Sequence, residues 1–184
     1  MDSKLQIISG AYRGRKLFLP DGARPTQNLA RGAIFNILMP ELRMENLFVW
    51  DAFAGSGALG LEVLSRIPSA TAVFTDTSVE SLNALRKNII PFNCRANIVN
   101  MDAFVAIKKY GGMADLVFVD PPYANPELGI DFVAKLAERA RAGTIVVQEI
   151  ESNVPYSPDE TKWDILRDKK YGRARFLILR RKSK

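Results

Sequence analysis

The stretch Leu47-Phe48-Val49-Trp50-Asp51-Ala52-Phe53-Ala54-Gly55-Ser56-Gly57-Ala58-Leu59-Gly60 decides how the rest of the chain is read. Leu47 to Phe53 is an apolar run bounded by Asn46 and Gly55, the pattern of a buried strand. Ala58 to Arg66 follows with Leu59, Val63 and Ile67 at helical spacing. A strand that turns through glycines into a helix lets the backbone approach a ligand closely at the strand's carboxyl end. Gly55, Gly57 and Gly60 match the dinucleotide spacing, and Asp76 lies 21 residues beyond Gly55, so this stretch alone leaves an NAD enzyme open. Asp51 argues the other way. A carboxylate just ahead of the glycines repels a pyrophosphate, whereas it suits S-adenosylmethionine (SAM), which carries an ammonium and a sulfonium. Asp76 can accept both ribose hydroxyls in either reading. Asp102 either accepts from an adenine amino group or caps the next helix.

Downstream, strand and helix signals alternate. Ala70 to Thr75 reads as a strand, and Val79, Leu82, Leu85 and Ile89 mark a helix ended by Pro91. Ala96 to Asn100 is a short strand, and Asp102 opens a helix through Lys108. Leu116 to Val119 is a central strand; Phe132, Leu136 and Ala140 mark a helix closed by Gly143 before the strand Thr144 to Gln148. Such alternation predicts a mostly parallel sheet, covered on both faces and joined by right-handed crossovers. Trp163 to Lys170, Gly172 and Arg175 to Leu179 read instead as a closing antiparallel hairpin. Upstream, Leu5 to Ser9 and Lys16 to Leu19 predict a short hairpin around Gly10–Gly14. Thr26 predicts the cap of a helix that runs through Ile34, Phe35 and Leu38 and stops at Pro40. The expectation is a single domain, with residues 1–45 as an N-terminal extension and 46–184 as a seven-stranded Rossmann-like α/β core.

Composition narrows the chemistry. The 184 residues contain no histidine, which excludes His general bases, Ser-His-Asp hydrolysis and His metal sites. Cys94 stands alone, so there is no internal disulfide and no cysteine-based zinc site. No apolar run approaches the ~20 residues of a membrane span and no signal-peptide core is present, which predicts a cytoplasmic protein. The net charge of +6 is uneven. Residues 1–31 carry six Lys and Arg against Asp2 and Asp21, and residues 162–184 carry ten against Asp164 and Asp168, while the middle is acidic. Basic ends on an acidic body suggest termini that face a polyanion.

The segment Asp115-Leu116-Val117-Phe118-Val119-Asp120-Pro121-Pro122-Tyr123 carries the catalytic expectation. Four apolar residues deliver Asp120 to the carboxyl edge of the sheet, beside the glycine loop. Two prolines remove the local backbone donors and fix φ. The amino group of a nucleic-acid base is a weak nucleophile because its lone pair is delocalised into the ring. The Asp120 carboxylate and the Pro121 carbonyl can accept its two N–H bonds, and Tyr123 can stack on the base. Catalytic roles are therefore expected for Asp120, Pro121, Pro122 and Tyr123.

In these motifs the chain resembles the bacterial guanine-N2 methyltransferases of small-subunit (16S) ribosomal RNA, the RsmD type. The likeness runs through Ile8-Ser9-Gly10, Arg13-Gly14-Arg15-Lys16-Leu17, Arg24-Pro25-Thr26, Phe35-Asn36, the 53–62 segment and Asp120 to Tyr123. It departs from the family pattern at Asn28-Leu29 and Gly32, where the family carries an Asp-Arg pair and the Glu of an Arg-Glu pair. At Ser78 the family carries an acid. The resemblance implies SAM as methyl donor, S-adenosyl-L-homocysteine as product and no metal. With the strand-end reading, it implies a cofactor wall of Asp51, Phe53, Ala54, Gly55, Ser56, Gly57, Asp76, Thr77, Asp102 and Ala103. It further implies RNA contact by Arg13, Arg15, Lys16, Arg24 and Arg31. The partner would be ribosomal RNA, naked or in a partly assembled small subunit, and the protein a monomer. An adenine-N6 methyltransferase and a non-catalytic RNA-binding protein on the same fold are the alternatives.

Overall fold

The computed structural model describes residues 5–20, 28–42, 44–122 and 124–183. In chain order the elements are α1 (Asn28–Leu38), β1 (Phe48–Asp51), α2 (Ala58–Arg66), β2 (Thr71–Asp76), α3 (Val79–Ile89) and β3 (Arg95–Asn100). Then follow α4 (Ala103–Tyr110), β4 (Leu116–Val119), α5 (Pro126–Leu136), β5 (Ile145–Glu151), β6 (Trp163–Tyr171) and β7 (Ala174–Arg181). One seven-stranded sheet runs in the order β3-β2-β1-β4-β5-β7-β6. The first five strands are mutually parallel, and β7 runs antiparallel to both β5 and β6. The order reverses between β1 and β4, the switch point at which open α/β sheets bind ligands.

Strand alternation builds two cores. Val49, Phe118 and Val147 face a layer that includes Ile34 and Phe35 of α1, Leu61 and Leu64 of α2 and Leu85 of α3. Trp50, Val117, Val119 and Val146 face Ala106, Ile107 and Tyr110 of α4 and Phe132 and Leu136 of α5. Burial on both faces is why β1 and β4 are apolar at successive positions rather than at alternate ones. Trp50 packs against Tyr110 and Phe132, with ring centroids 5.9 and 5.5 Å away, and its Nε1 donates to Thr75 Oγ1 at 3.0 Å. That bond ties β1 to β2 one residue before Asp51 and fixes where the strand's carboxyl end points.

The N-terminal hairpin expected over Leu5–Ser9 and Lys16–Leu19 is a short antiparallel pairing centred on the Gln6–Lys16 bridge, in which Leu17 N–H donates to the Leu5 carbonyl and Ile7 N–H to the Arg15 carbonyl, each at 2.9 Å. Neighbouring backbone donors are taken by side chains of the core. Ile8 and Ser9 donate to the buried Glu62 carboxylate at 2.8 and 3.0 Å, and Phe18 donates to Asn88 Oδ1 at 2.7 Å. Asn88 Nδ2 in turn donates to the carbonyls of Phe18 and Ser56, at 2.9 and 2.8 Å. The extension is thus clasped to α2, α3 and the glycine loop by side chains, with Leu5, Ile7 and Leu17 buried beneath it. The expected Thr26 cap of α1 lies outside the described residues. At the other end β6 forms the outer strand, with Arg167, Lys169 and Lys170 exposed, charges that discourage edge-to-edge pairing. No helix among the described residues is long and apolar enough to cross a membrane.

Candidate active site

The carboxyl ends of β1, β2, β4 and β5 open into one cleft of about 1190 Å³, larger than a pocket for one small ligand. Its floor is built by acids that each end a strand. Asp51 ends β1 and is 2% exposed, accepting a hydrogen bond from the Gly60 backbone N–H at 3.1 Å. Burial pushes its carboxyl up from 3.8 to about 7; the Gly60 bond opposes the rise and the nearby Asp76 charge adds to it. Gly60 must be glycine here, since a Cβ would lie 2.4 Å from the Phe74 ring and 3.2 Å from the Asp51 carboxylate.

Asp76 ends β2. One of its oxygens accepts from Gly55 N–H and the other from Ser78 N–H, each at 2.8 Å. It therefore holds the glycine loop in place, and each oxygen keeps a lone pair for a further donor. Gly55 meets it with a φ of 53° that a side-chain-bearing residue rarely adopts. Ser78, the departure from the family's acid, accepts from Ser81 N–H at 3.2 Å and caps α3. Asp102 caps α4 through Oδ1, which accepts from Phe104 and Val105 N–H at 2.9 and 3.1 Å, and it also lines the cleft.

Of the expected cofactor wall, Asp51, Phe53, Ala54, Gly55, Ser56, Asp76, Thr77, Asp102 and Ala103 all line the cleft. Gly57 does not. It precedes α2, where an added Cβ would lie 2.3 Å from Leu85, so its place is in the packing of α2 against α3.

Asp120 follows β4 and lines the same cleft with Pro121 and Pro122. Pro121 is buried against Gly129 of α5, where a Cβ would come within 3.0 Å of the proline ring. This contact holds the backbone next to Asp120 against a rigid helix. Tyr123 and Arg24 lie outside the described residues.

Arg13, Arg15 and Lys16 are exposed on the N-terminal extension, as RNA contact requires. Arg31 is not, and the expectation for it is corrected. Its side chain is 0% exposed, and Nη2 donates to the Gln6 carbonyl and, at 3.1 Å, to Asn28 Oδ1. A side chain with no accessible surface does not sit on an RNA phosphate. It shares the inward stripe of α1 with Ile34, Phe35 and Leu38, spaced three, four and seven residues on.

The cleft also contains residues the sequence reading passed over. Glu149 is 5% exposed and Glu151 stands two residues on, both on the extended end of β5, while Tyr171 to Ala174 close the wall from the β6–β7 turn. Val119 and Gln148 are a registered pair, so Asp120 and Glu149, one residue further on each strand, stand on neighbouring strands at the same edge. The signal for Glu149 was present: an acid stands just beyond an apolar run, Ile145 to Val147, near the carboxyl end of β5. Among the described residues no group of three or more His, Cys, Asp or Glu side chains is arranged to hold a metal ion.

A doubly wound sheet with strand-end acids and a glycine corner around one switch-point cleft defines a Rossmann-like methyltransferase. The family described as Conserved hypothetical protein 95 matches residues 5–180. The chain is 35% identical to ribosomal RNA small subunit methyltransferase D of Escherichia coli K12, over 98% of this chain and 91% of that one. It is 31% identical to the Haemophilus influenzae protein of the same name, over 92% and 90%. The solved yhhF structure from Escherichia coli superposes with a TM-score of 0.84 at 32% identity, covering 97% of this chain and 98% of that one. A SAM-bound magnesium protoporphyrin IX methyltransferase from Synechocystis shares the fold alone, with a TM-score of 0.63 at 16% identity over 86% of each chain. The chain belongs to the ribosomal RNA small subunit methyltransferase D family.

Proposed function

We propose that the protein transfers a methyl group from SAM to the exocyclic N2 amino group of a guanine in small-subunit ribosomal RNA. The observation that carries this reading is the meeting, in one cleft, of Asp51 and Asp76 with Asp120 and Pro121. The cleft fits SAM on two counts. A carboxylate as buried as Asp51 calls for a cationic partner, and the cofactor's ammonium is one. Asp76, pinned by two backbone N–H groups, offers its remaining lone pairs to a ribose diol. When bound, SAM supplies a methyl group activated by its sulfonium charge and leaves as S-adenosyl-L-homocysteine.

The chain's own residues do the rest. Asp120 and the Pro121 carbonyl accept hydrogen bonds from the two amino N–H groups, drawing the nitrogen lone pair out of conjugation, and the Asp120 carboxylate takes the proton that the nitrogen loses once it carries the methyl group. Tyr123 stacks on the base and Pro122 limits motion of the segment. Glu149 favours guanine. Beside its amino group guanine carries N1–H, a donor for a second carboxylate, whereas adenine carries a lone pair there that a carboxylate repels. None of these roles uses a metal.

In this reading Arg13, Arg15, Lys16 and Arg24 lie along RNA phosphates outside the sheet. Residues 1–45 serve as an RNA-contacting extension of one domain, with 46–184 as the catalytic core. The protein acts as a monomer in the cytoplasm, on ribosomal RNA or a partly assembled subunit. Incubation with tritiated SAM and small subunits from a strain lacking the enzyme should label the RNA fraction, and Asp120→Ala should abolish the label. RNA that stays unlabelled with the wild-type protein overturns the proposal.

A further inference from the structure

Phe18 belongs neither to the two cores nor to the wall of the cleft, and the residue is 58% exposed. A single exposed apolar side chain is ordinary on a protein surface. Three observations set this one apart. Its backbone is fixed on both sides by one buried side chain: Phe18 N–H donates to Asn88 Oδ1 at 2.7 Å, and Asn88 Nδ2 donates to the Phe18 carbonyl at 2.9 Å. The same amide donates to the carbonyl of Ser56, so the ring shares its mounting with the loop at the cleft. Cations flank the ring. Lys87 of α3 holds Nζ 5.8 Å from its centroid, and Arg15 and Lys16 are exposed just upstream, with Leu17 buried between Lys16 and Phe18. The two residues that follow, Leu19 and Pro20, line the cleft, which puts Phe18 at its rim.

We infer that Phe18 and Lys87 form a platform for a nucleotide flanking the target base: the flanking base stacks on the ring and its phosphate meets the Lys87 ammonium. This rests on the reading of ribosomal RNA as the substrate. A base that enters the cleft to reach Asp120 leaves its stack, and the neighbouring base loses a stacking partner. A flat aromatic at the rim replaces that partner. Because the Asn88 bonds already hold the segment in place, little freedom is lost when a base lies on the ring. The ring offers no hydrogen-bonding group, so the platform accepts any base and does not read sequence. The cations around it favour a polyanionic strand over a neutral apolar surface of a protein. Lys87 stands on α3, so the platform carries the RNA footprint from the N-terminal extension onto the catalytic core.

The test measures affinity for small subunits from a strain lacking the enzyme, over a series of salt concentrations. Phe18→Ala should weaken binding about 5- to 100-fold, the range for one base–aromatic stack, with the log–log salt slope unchanged because no phosphate contact is lost. Phe18→Leu, apolar but not planar, should lose nearly as much, and Phe18→Trp should bind at least as tightly as wild type. Lys87→Gln should make the slope shallower by about 0.7, one single-strand phosphate contact. Both side chains are exposed and outside the cleft wall, so SAM affinity by calorimetry should stay at the wild-type value, which also reports that the variants are folded. Phe18→Ala with wild-type affinity overturns the inference, as does an unchanged slope in Lys87→Gln. Phe18→Leu that binds like wild type while Phe18→Ala does not identifies an apolar protein surface as the partner and overturns it too. Wild-type protein that does not bind the subunits at all refutes the RNA reading itself.

Discussion

Asp51→Asn separates what Asp51 costs the fold from what it gives the ligand. In the ligand-free protein burial lifts this carboxyl from 3.8 to about 7, so its charged form is disfavoured by folding. A raised carboxylate pKa destabilises the fold above that pKa, and the cost fades as pH falls through 7 toward the unfolded value. Near pH 8.5 the full shift applies, about 4 kcal/mol, and at pH 5 under about 2 kcal/mol remains. Asn retains an oxygen for the Gly60 N–H and carries no charge. Urea denaturation of the ligand-free variant should therefore show a gain over wild type that is larger at pH 8.5 than at pH 5 by about 2–3 kcal/mol. SAM affinity should move the opposite way. Asn offers no anion for the ammonium, so the variant binds SAM more weakly at pH 8.5. Wild-type affinity itself should fall about tenfold from pH 8 to pH 6 as Asp51 takes up a proton. A stability difference between variant and wild type that does not change with pH would refute the burial argument, and wild-type SAM affinity in the variant would remove Asp51 from the site.

Other expectations follow from the base end of the cleft and from the extension. Asp120→Ala should leave SAM affinity nearly unchanged in calorimetry while lowering the single-turnover rate at least ~100-fold, and Asp120→Asn, with one acceptor oxygen, should retain more activity. Equal, near-wild-type rates in both would remove Asp120 from the amine. Glu149→Gln should slow methylation of guanine ~10-fold or more in single-turnover assays with SAM binding intact, because an amide is a weaker acceptor for N1–H than a carboxylate. An unaltered rate would leave Glu149 as a wall residue only. Replacing Arg13, Arg15 and Lys16 together by Ala should make the log–log salt dependence of RNA affinity shallower by about two units, at ~0.7 per single-strand phosphate contact. Methylation should then recover at saturating RNA, and an unchanged slope would reduce the segment to surface charge.

The parts of the fold that were legible were those where one local rule dominated. Ala58–Arg66 and Leu116–Val119 have the bounds their patterns predict, because a glycine corner starts one and acids bracket the other. The N-terminal pairing was legible from its turn residues, but nothing local reveals that Glu62 and Asn88, more than fifty residues away, take the backbone donors of Ile8 and Phe18 beside it. Arg31 misled for a different reason: it stands in a basic segment, and charge was weighed above its place on the apolar stripe of α1. Asp51, Asp76 and Asp120 were found because each ends an apolar strand. Glu149 does not end its strand: the apolar pattern stops at Gln148, whereas pairing with β7 carries β5 on to Glu151 and places Glu149 within it.

The central claim, methyl transfer to guanine N2, is tested most directly by the identity of the methylated nucleoside. Small subunits from a strain lacking the enzyme are treated with the protein and SAM, and their RNA is digested to nucleosides and separated by mass spectrometry. N2-methylguanosine should appear in proportion to the methyl groups transferred, and be absent with Asp120→Ala. Recovery of the label as N6-methyladenosine, or as any nucleoside other than N2-methylguanosine, would contradict the account.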